Sequence, residues 1–215
     1  MDSKPDLTYF DMYGRAEPTR MLLSHLKIEW TETHVDFPPT AEQKETSEFK
    51  SFPFLKIDGK KIGQSRGILR YLAAKHGLYP KEPYDLWRME SLLDHYADLE
   101  AGLYKVVFTQ GEEAKAAEGK KFYEGILSTS LNILETRLKE NSSQEFLVGD
   151  ALTPADVVYN NFVWTMALNP MHAEEHKEKH EQFRGLLKNY PTAEAYFNKR
   201  KGDFPRLETR DPRPL

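Results

Sequence analysis

Two residues near the start of the chain are of types, and at a spacing, that could do chemistry. Tyr9 lies near the C-terminal end of a strand-like run, Leu7 to Phe10, and Arg15 follows at the start of a helical run. Ligands of open α/β sheets gather outside the C-terminal ends of strands, so a hydroxyl and a fixed positive charge would meet a ligand there. Both favour an anion, the first by donating a hydrogen bond and the second by its charge. An ordinary strand aromatic and an exposed cation fit the same letters. Further along, Gln64 and Ser65 open a helix, where free backbone N–H groups and the helix dipole also favour an anion. The chain has no cysteine, which excludes disulfides, thiolate metal sites and a sulfur nucleophile supplied by the protein. Any sulfur chemistry must use a sulfur that the ligand brings.

Other patterns carry less. His172 to His176 fits the zinc spacing H-x-x-E-H, with His180 a turn further on, but the stretch AEEHKEKHEQ is charged throughout and reads as a solvated helix face. Asp94 and Asp98 stand one helical turn apart, as carboxylates on long surface helices commonly do without acid-base work. Asn141-Ser142-Ser143 has the spacing of a glycosylation sequon.

The elements that must position these residues fall into two parts. A length of 215 residues allows one large domain or two small ones. In the first part, short apolar segments alternate with helical ones: a strand at Leu7 to Phe10, a helix from about Ala16 to Leu26, a strand within Ile28 to Val35, and a short helix around Ala41 to Glu48. Asp58-Gly59 between Leu55–Ile57 and Lys61–Ile62 signals a hairpin. Ser65 is the expected cap of a helix that places Leu69, Leu72, Ala73 and His76 on one face and ends at Gly77. Pro80 and Pro83 frame an expected linker, residues 80–84, between a domain of residues 1–79 and an all-helical domain of residues 85–215. In the second part, helices are expected from about Asp85 to Thr109 and Glu112 to Glu140, and another starts at the capping box Thr153 to Asp156. The tail, with Pro205, Pro212 and Pro214, reads as irregular.

Lysine plus arginine total 30 against 34 aspartate plus glutamate, for a net charge of -4. That balance is a poor match for nucleic acid or anionic lipid. The opening residues MDSKPDLTYF are charged where a leader needs an apolar run, and no apolar stretch approaches the roughly 18 residues of a membrane span. The expectation is an intracellular, cytoplasmic protein.

The order β-α-β-α-β-β-α, with Pro53 just ahead of the third strand, is the thioredoxin-like pattern, whose redox members need the cysteine this chain lacks. The stretches LTYFDMYGRAEPTRMLL, FKSFPFLKIDGKKIGQSRGILRYLA and FLVGDALTPAD, in that order, resemble the cytosolic glutathione transferases of the tyrosine-using kind, nearest to the sigma and alpha classes. The resemblance implies a thioredoxin-like glutathione-binding domain followed by an all-α domain that contributes an electrophile pocket. It implies glutathione as co-substrate, small hydrophobic electrophiles, a homodimer, and no metal, nucleic-acid or membrane partner. Tyr9 and Arg15 take the catalytic positions. Lys44 falls where the family binds the glycyl carboxylate, and Gln64 and Ser65 where it binds the γ-glutamyl carboxylate. Phe52-Pro53 matches a cis-proline dipeptide whose first residue pairs through its backbone with the cysteinyl unit. Asp98 matches an aspartate that reaches across the dimer interface to the ligand's ammonium, and Phe49 an aromatic that inserts into the neighbouring subunit. At Lys50-Ser51 the chain departs from the family's usual residues, so a contact to glutathione at Ser51 is missing or supplied by Lys50. Gly67 stands where alanine is common. Met12, Tyr13, Tyr104 and Phe108, with residues near Leu207, are the expected electrophile pocket.

The implied chemistry has a magnitude. A free thiol of pKa about 8.5 is only about 3% ionised at pH 7, and a hydrogen bond to charged sulfur contributes roughly 1.5–3 kcal/mol, about one to two pKa units. Two units raise the thiolate fraction roughly 25-fold, and the lower nucleophilicity of a less basic sulfur takes back roughly eightfold. Most of the acceleration must then come from holding thiolate and electrophile together. The same glutathione residues would serve a sigma-type isomerase or peroxidase, and the same scaffold a non-catalytic ligand carrier or structural protein.

Overall fold

The computed structural model describes residues 4–169 and 176–204. They divide into two compact units, one of residues 4–77 with 202–204 and one of residues 78–201. Residues 202–204 thus group with the first unit rather than with the helical part, and Phe204 is buried with its ring 5.8 Å from that of His25.

The first unit runs β1 (Asp6–Phe10), a 3-10 turn (Gly14–Ala16), α1 (Glu17–His25), β2 (Thr31–Val35), α2 (Ala41–Glu45), β3 (Phe54–Ile57), β4 (Lys60–Gly63) and α3 (Ser65–Lys75). The element order is the one expected, although β2 starts at Thr31 rather than Ile28 and α2 stops at Glu45. The sheet has the order β2-β1-β3-β4, with β1 parallel to β2 and antiparallel to β3. Asp58 (φ 50) and Gly59 (φ 71) turn the β3–β4 hairpin with both central residues left-handed, which right-handed strand twist favours. Leu7 and Leu55 from the strands, Leu22 and Leu23 from α1, and Ile68, Leu69 and Leu72 from α3 form the core. Fully burying each contributes roughly 1.5–3 kcal/mol. The expectation that Ser65 caps α3 is corrected: Gln64 holds the cap position at φ 67 without a side-chain cap bond, and Ser65 is the first helical residue.

The second unit contains α4 (Pro83–Phe108), α5 (Glu112–Phe122), α6 (Ser128–Glu140), α7 (Pro154–Asn161), α8 (Lys177–Leu187) and α9 (Pro191–Arg200). The 80–84 linker is shorter than expected because Pro83 opens α4. Glu82 caps that helix by accepting from the N–H groups of Tyr84 and Asp85, and proline at the first position loses no intrahelical bond. The expected helix 112–140 is interrupted by a π turn at Tyr123–Leu127. Two hydroxyls take up carbonyls around this wide turn: Ser128 Oγ donates to the Tyr123 carbonyl at 2.6 Å and Ser130 Oγ to that of Ile126 at 2.7 Å. A second π turn, Phe162–Ala167, extends α7.

The Thr153–Asp156 box forms as expected and does more than cap. Asp156 is fully buried and accepts from the N–H groups of Leu147 and Thr153, the Thr153 hydroxyl and the Tyr196 hydroxyl. One carboxylate therefore fixes the preceding loop, the start of α7 and α9. The sequon asparagine is likewise used inside the fold, with Asn141 Nδ2 donating to the carbonyls of Phe146 and Gly149, each at 2.7 Å. His172 and the acidic residues of H-x-x-E-H lie outside the described residues, as do Leu207 and the tail prolines. No helix among the described residues is long and apolar enough to cross a membrane.

Candidate functional site

The site is built at the C-terminal end of β1. Alternation along this strand sends Leu7 and Tyr9 to one side and Thr8 and Phe10 to the other, and all four are buried. Beyond Phe10 the chain turns back at once, the Met12 N–H donating to the Phe10 carbonyl at 2.8 Å. Gly14 then takes φ 44, a left-handed value that glycine adopts without steric cost. This brings the Arg15 backbone N–H to the Tyr9 hydroxyl oxygen at 3.0 Å. A Cβ on Gly14 would lie 2.5 Å from that oxygen, so the close approach itself requires glycine. An amide donating to Tyr9 Oη fixes the phenol's orientation at the end of β1 and makes the hydroxyl a stronger donor. The Arg15 residue, whose side chain carries the fixed charge, is exposed.

A buried ion cluster lies behind this loop. Arg20, on α1, is 0% exposed, and its guanidinium donates to the carbonyls of Met12 and Tyr13 and to the carboxylates of Glu17 and Glu32. Sequence reasoning missed it. The only local signal is Glu17 three residues before Arg20, which ordinarily marks an exposed helix pair.

The β1–β3 ladder ends at Thr8–Phe54. Pro53 has no N–H to extend it, and continuing the register past that end puts Pro53 level with Tyr9 and Phe52 level with Phe10. The Phe52–Pro53 peptide is cis. Phe52's ring stacks edgewise on Phe10 at 5.8 Å, and Phe10 meets Tyr9 at 4.7 Å. At the start of α3, Gln64 is exposed and Ser65 half-buried, and the first turn has no side-chain cap. Uncapped N–H groups at a helix start suit a carboxylate.

The remaining expected residues are more scattered. Lys44 is exposed on α2, while Lys50 is ion-paired with Glu45. Ser51 is exposed, and its carbonyl accepts from Ser47 Oγ at 2.6 Å. Phe49, 46% exposed, lies with its ring against Gly63 of its own chain, where an added Cβ would come within 2.6 Å. Met12 and Tyr13 are buried in the first unit. In the second unit, Asp98 is exposed on α4, and Tyr104 and Phe108 sit one turn apart on the same helix with rings 6.2 Å apart, Phe108 being 55% exposed. Among the described residues no group of three or more His, Asp or Glu side chains could hold a metal ion.

Comparison with known proteins identifies the family. Residues 5–74 match the family model of the glutathione S-transferase N-terminal domain, and residues 97–200 that of the C-terminal domain. Glutathione S-transferase 4 of Caenorhabditis elegans is 30% identical over 201 residues, covering 91% of this chain and 96% of the relative. Glutathione S-transferase alpha-5 of Rattus norvegicus is 31% identical over 199 residues, covering 91% of this chain and 83% of the relative. The crystal structure of monomeric Na-GST-3, a glutathione S-transferase from the hookworm Necator americanus, superposes with a TM-score of 0.75 at 25% identity over 93% of both chains. With both domains of one family matched in order along a thioredoxin-like unit and a helical unit, the chain belongs to the glutathione S-transferases.

Proposed function

We propose that this protein transfers glutathione to small hydrophobic electrophiles, with Tyr9 and Arg15 keeping the tripeptide's sulfur ionised. The observation that carries the reading is the 3.0 Å bond from the Arg15 N–H to Tyr9 Oη, which orients the hydroxyl at the end of β1 and strengthens it as a donor to sulfur. A bound thiolate would sit at the end of β1 with the hydroxyl as donor and the guanidinium as fixed charge. The backbone of Phe52 pairs with the cysteinyl unit much as a peptide adds to a strand edge. The first turn of α3, from Gln64 and Ser65, takes the γ-glutamyl carboxylate. Lys44 takes the glycyl carboxylate. Ser51 stands at the glutathione contact position where the family usually carries another residue, and Lys50 beside it is ion-paired with Glu45.

The same reading assigns the electrophile to the aromatic surface of Tyr104 and Phe108 and to the loop of Met12 and Tyr13. In a homodimer, Asp98 of the neighbouring subunit would face the ligand's ammonium and Phe49 would make the intersubunit contact. A cytoplasmic setting fits the family and the residue chemistry.

Retention on immobilised glutathione, followed by assay with a generic chromogenic electrophile, tests the proposal. Tyr9→Phe should lower kcat about tenfold or more, on the order of 1.4 kcal/mol, with glutathione affinity little changed. An unaltered rate constant in that variant removes the hydroxyl from the mechanism, and failure of the parent protein to bind glutathione removes the proposal.

A further inference from the structure

We infer that Arg20 is the positioning residue for the thiolate-stabilising pair, holding the loop that aims the Arg15 N–H at Tyr9; the inference rests on the thiolate reading proposed for this site. The side chain is fully buried, and its donors are directed to four groups. Nη1 reaches the Met12 carbonyl at 2.9 Å, the Tyr13 carbonyl at 3.2 Å and Glu17 Oε2 at 3.2 Å. Nε and Nη2 fork onto Glu32, with Nη2 at 2.9 Å from Oε2. Glu32 is itself fixed by Trp30 Nε1, which donates to its Oε1 at 2.9 Å. One guanidinium thereby ties α1 and β2 to two successive carbonyls of the loop that leaves β1.

Those carbonyls stand immediately before the peptide that prepares the phenol. The Tyr13 carbonyl belongs to the peptide that enters Gly14, and the next peptide carries the N–H that Tyr9 accepts. Releasing Met12 and Tyr13 would free the Gly14 torsions and let the Arg15 N–H swing away from the phenol. Stability alone does not explain the cluster, since a buried ion pair is often no more stabilising than an apolar set of the same volume. Nor does charge. The guanidinium carbon is 5.8 Å from the Tyr9 ring centroid, but the Glu17 and Glu32 carboxyl groups bonded to it offset its field there. What remains is geometry, which a planar five-donor fork supplies and an ammonium does not.

This separates two substitutions. Arg20→Lys keeps the charge and loses the fork, whereas Arg20→Met loses both. Titrating the thiol of bound glutathione by its ultraviolet thiolate absorbance should give a pKa about one unit higher in both variants, about tenfold less thiolate on the acid side, with glutathione affinity within about twofold of the parent. A lysine variant that matches the parent while the methionine variant shifts would mean that charge is what acts, and would overturn the positioning role. Two variants that both match the parent would overturn it as well. If circular dichroism shows that neither Arg20 variant folds, Glu32→Met, which removes the fork's anchor on β2, decides by the same criterion. The parent protein and Tyr9→Phe serve as controls for the underlying reading: a parent thiol that ionises no more readily than free glutathione defeats that reading, while a shifted parent thiol with unmoved variants defeats only the role of Arg20.

Discussion

At the end of β1, the position with no freedom to vary is a glycine. Gly14 combines a φ of 44 with the Tyr9 hydroxyl oxygen 2.5 Å from where its Cβ would be. Alanine there must accept a left-handed backbone, at about 1–2 kcal/mol, and must also push the Tyr9 hydroxyl aside. The second effect breaks the Arg15 N–H bond to Tyr9 Oη on which the proposed role of the phenol rests. Gly14→Ala is therefore expected to lose at least about tenfold in kcat/KM, roughly 1.4 kcal/mol of transition-state stabilisation, alongside a modest fall in melting temperature. Steady-state kinetics at saturating glutathione, paired with thermal unfolding, separates the two effects. A variant that is less stable but fully active would show that Tyr9 works without its present hydrogen bond.

At the scale of elements, Gly67 on α3 is the converse case. It is exposed in a helix interior, and the one atom an added Cβ would meet is the Gln64 Cβ at 3.6 Å, an ordinary contact. Gly67→Ala should stabilise the protein by about 0.5–1 kcal/mol by restricting the unfolded chain, read as a shift in denaturant midpoint at constant slope. A destabilised variant would mean that α3 needs the flexibility its sequence offers. How legible each feature was follows the same division between local and distant causes. The strand order in sequence, the Asp58-Gly59 hairpin and the Thr153 box rest on residues two or three apart, and the sequence specified all of them. Tyr9 and Arg15 were legible as types near a strand end. Arg20 was not, because its partners Met12, Tyr13 and Glu32 become neighbours only once β2 lies beside β1. The π turn at Tyr123–Leu127 was equally silent: its letters suit an ordinary helix, and the hydroxyls that stabilise it are common in helices. Pro83 misled for a simple reason, since proline ends one element and opens another with equal ease.

At the scale of the whole molecule, three groups of the helical unit give signs to the dependence of stability on pH. His95 Nε2 lies 2.9 Å from Ser130 Oγ, whose single proton is already donated to the Ile126 carbonyl, so the neutral ring must carry its proton on Nε2. Charging the ring gains nothing at that bond, and burial pulls its pKa below the ordinary 6.5 despite the opposing pull of Asp98. The unfolded chain therefore takes up a proton before the native protein does. The stability contribution is fully present above 6.5 and is lost as the pH falls through the interval down to the folded pKa. Glu135 acts in the same sense lower down. Burial raises its pKa, but Lys139, the Ala193 N–H and the Thr192 hydroxyl outweigh that and hold it below 4.5, so its contribution disappears only in stronger acid. Asp156 has the opposite sign: burial pushes its carboxyl above 3.8, so its effect on stability falls as the pH rises from 3.8 to the folded value, and it cannot cause a loss on acidification. Of the three, only His95 can therefore lower stability as the pH falls from about 7.5 to about 5.5, the range in which histidine titrates in unfolded chains. Melting temperature should fall across that interval, and His95→Gln, which keeps a donor for Ser130 and cannot take up the proton, should flatten most of the fall. Equal slopes in the parent and the variant would assign the loss to another group.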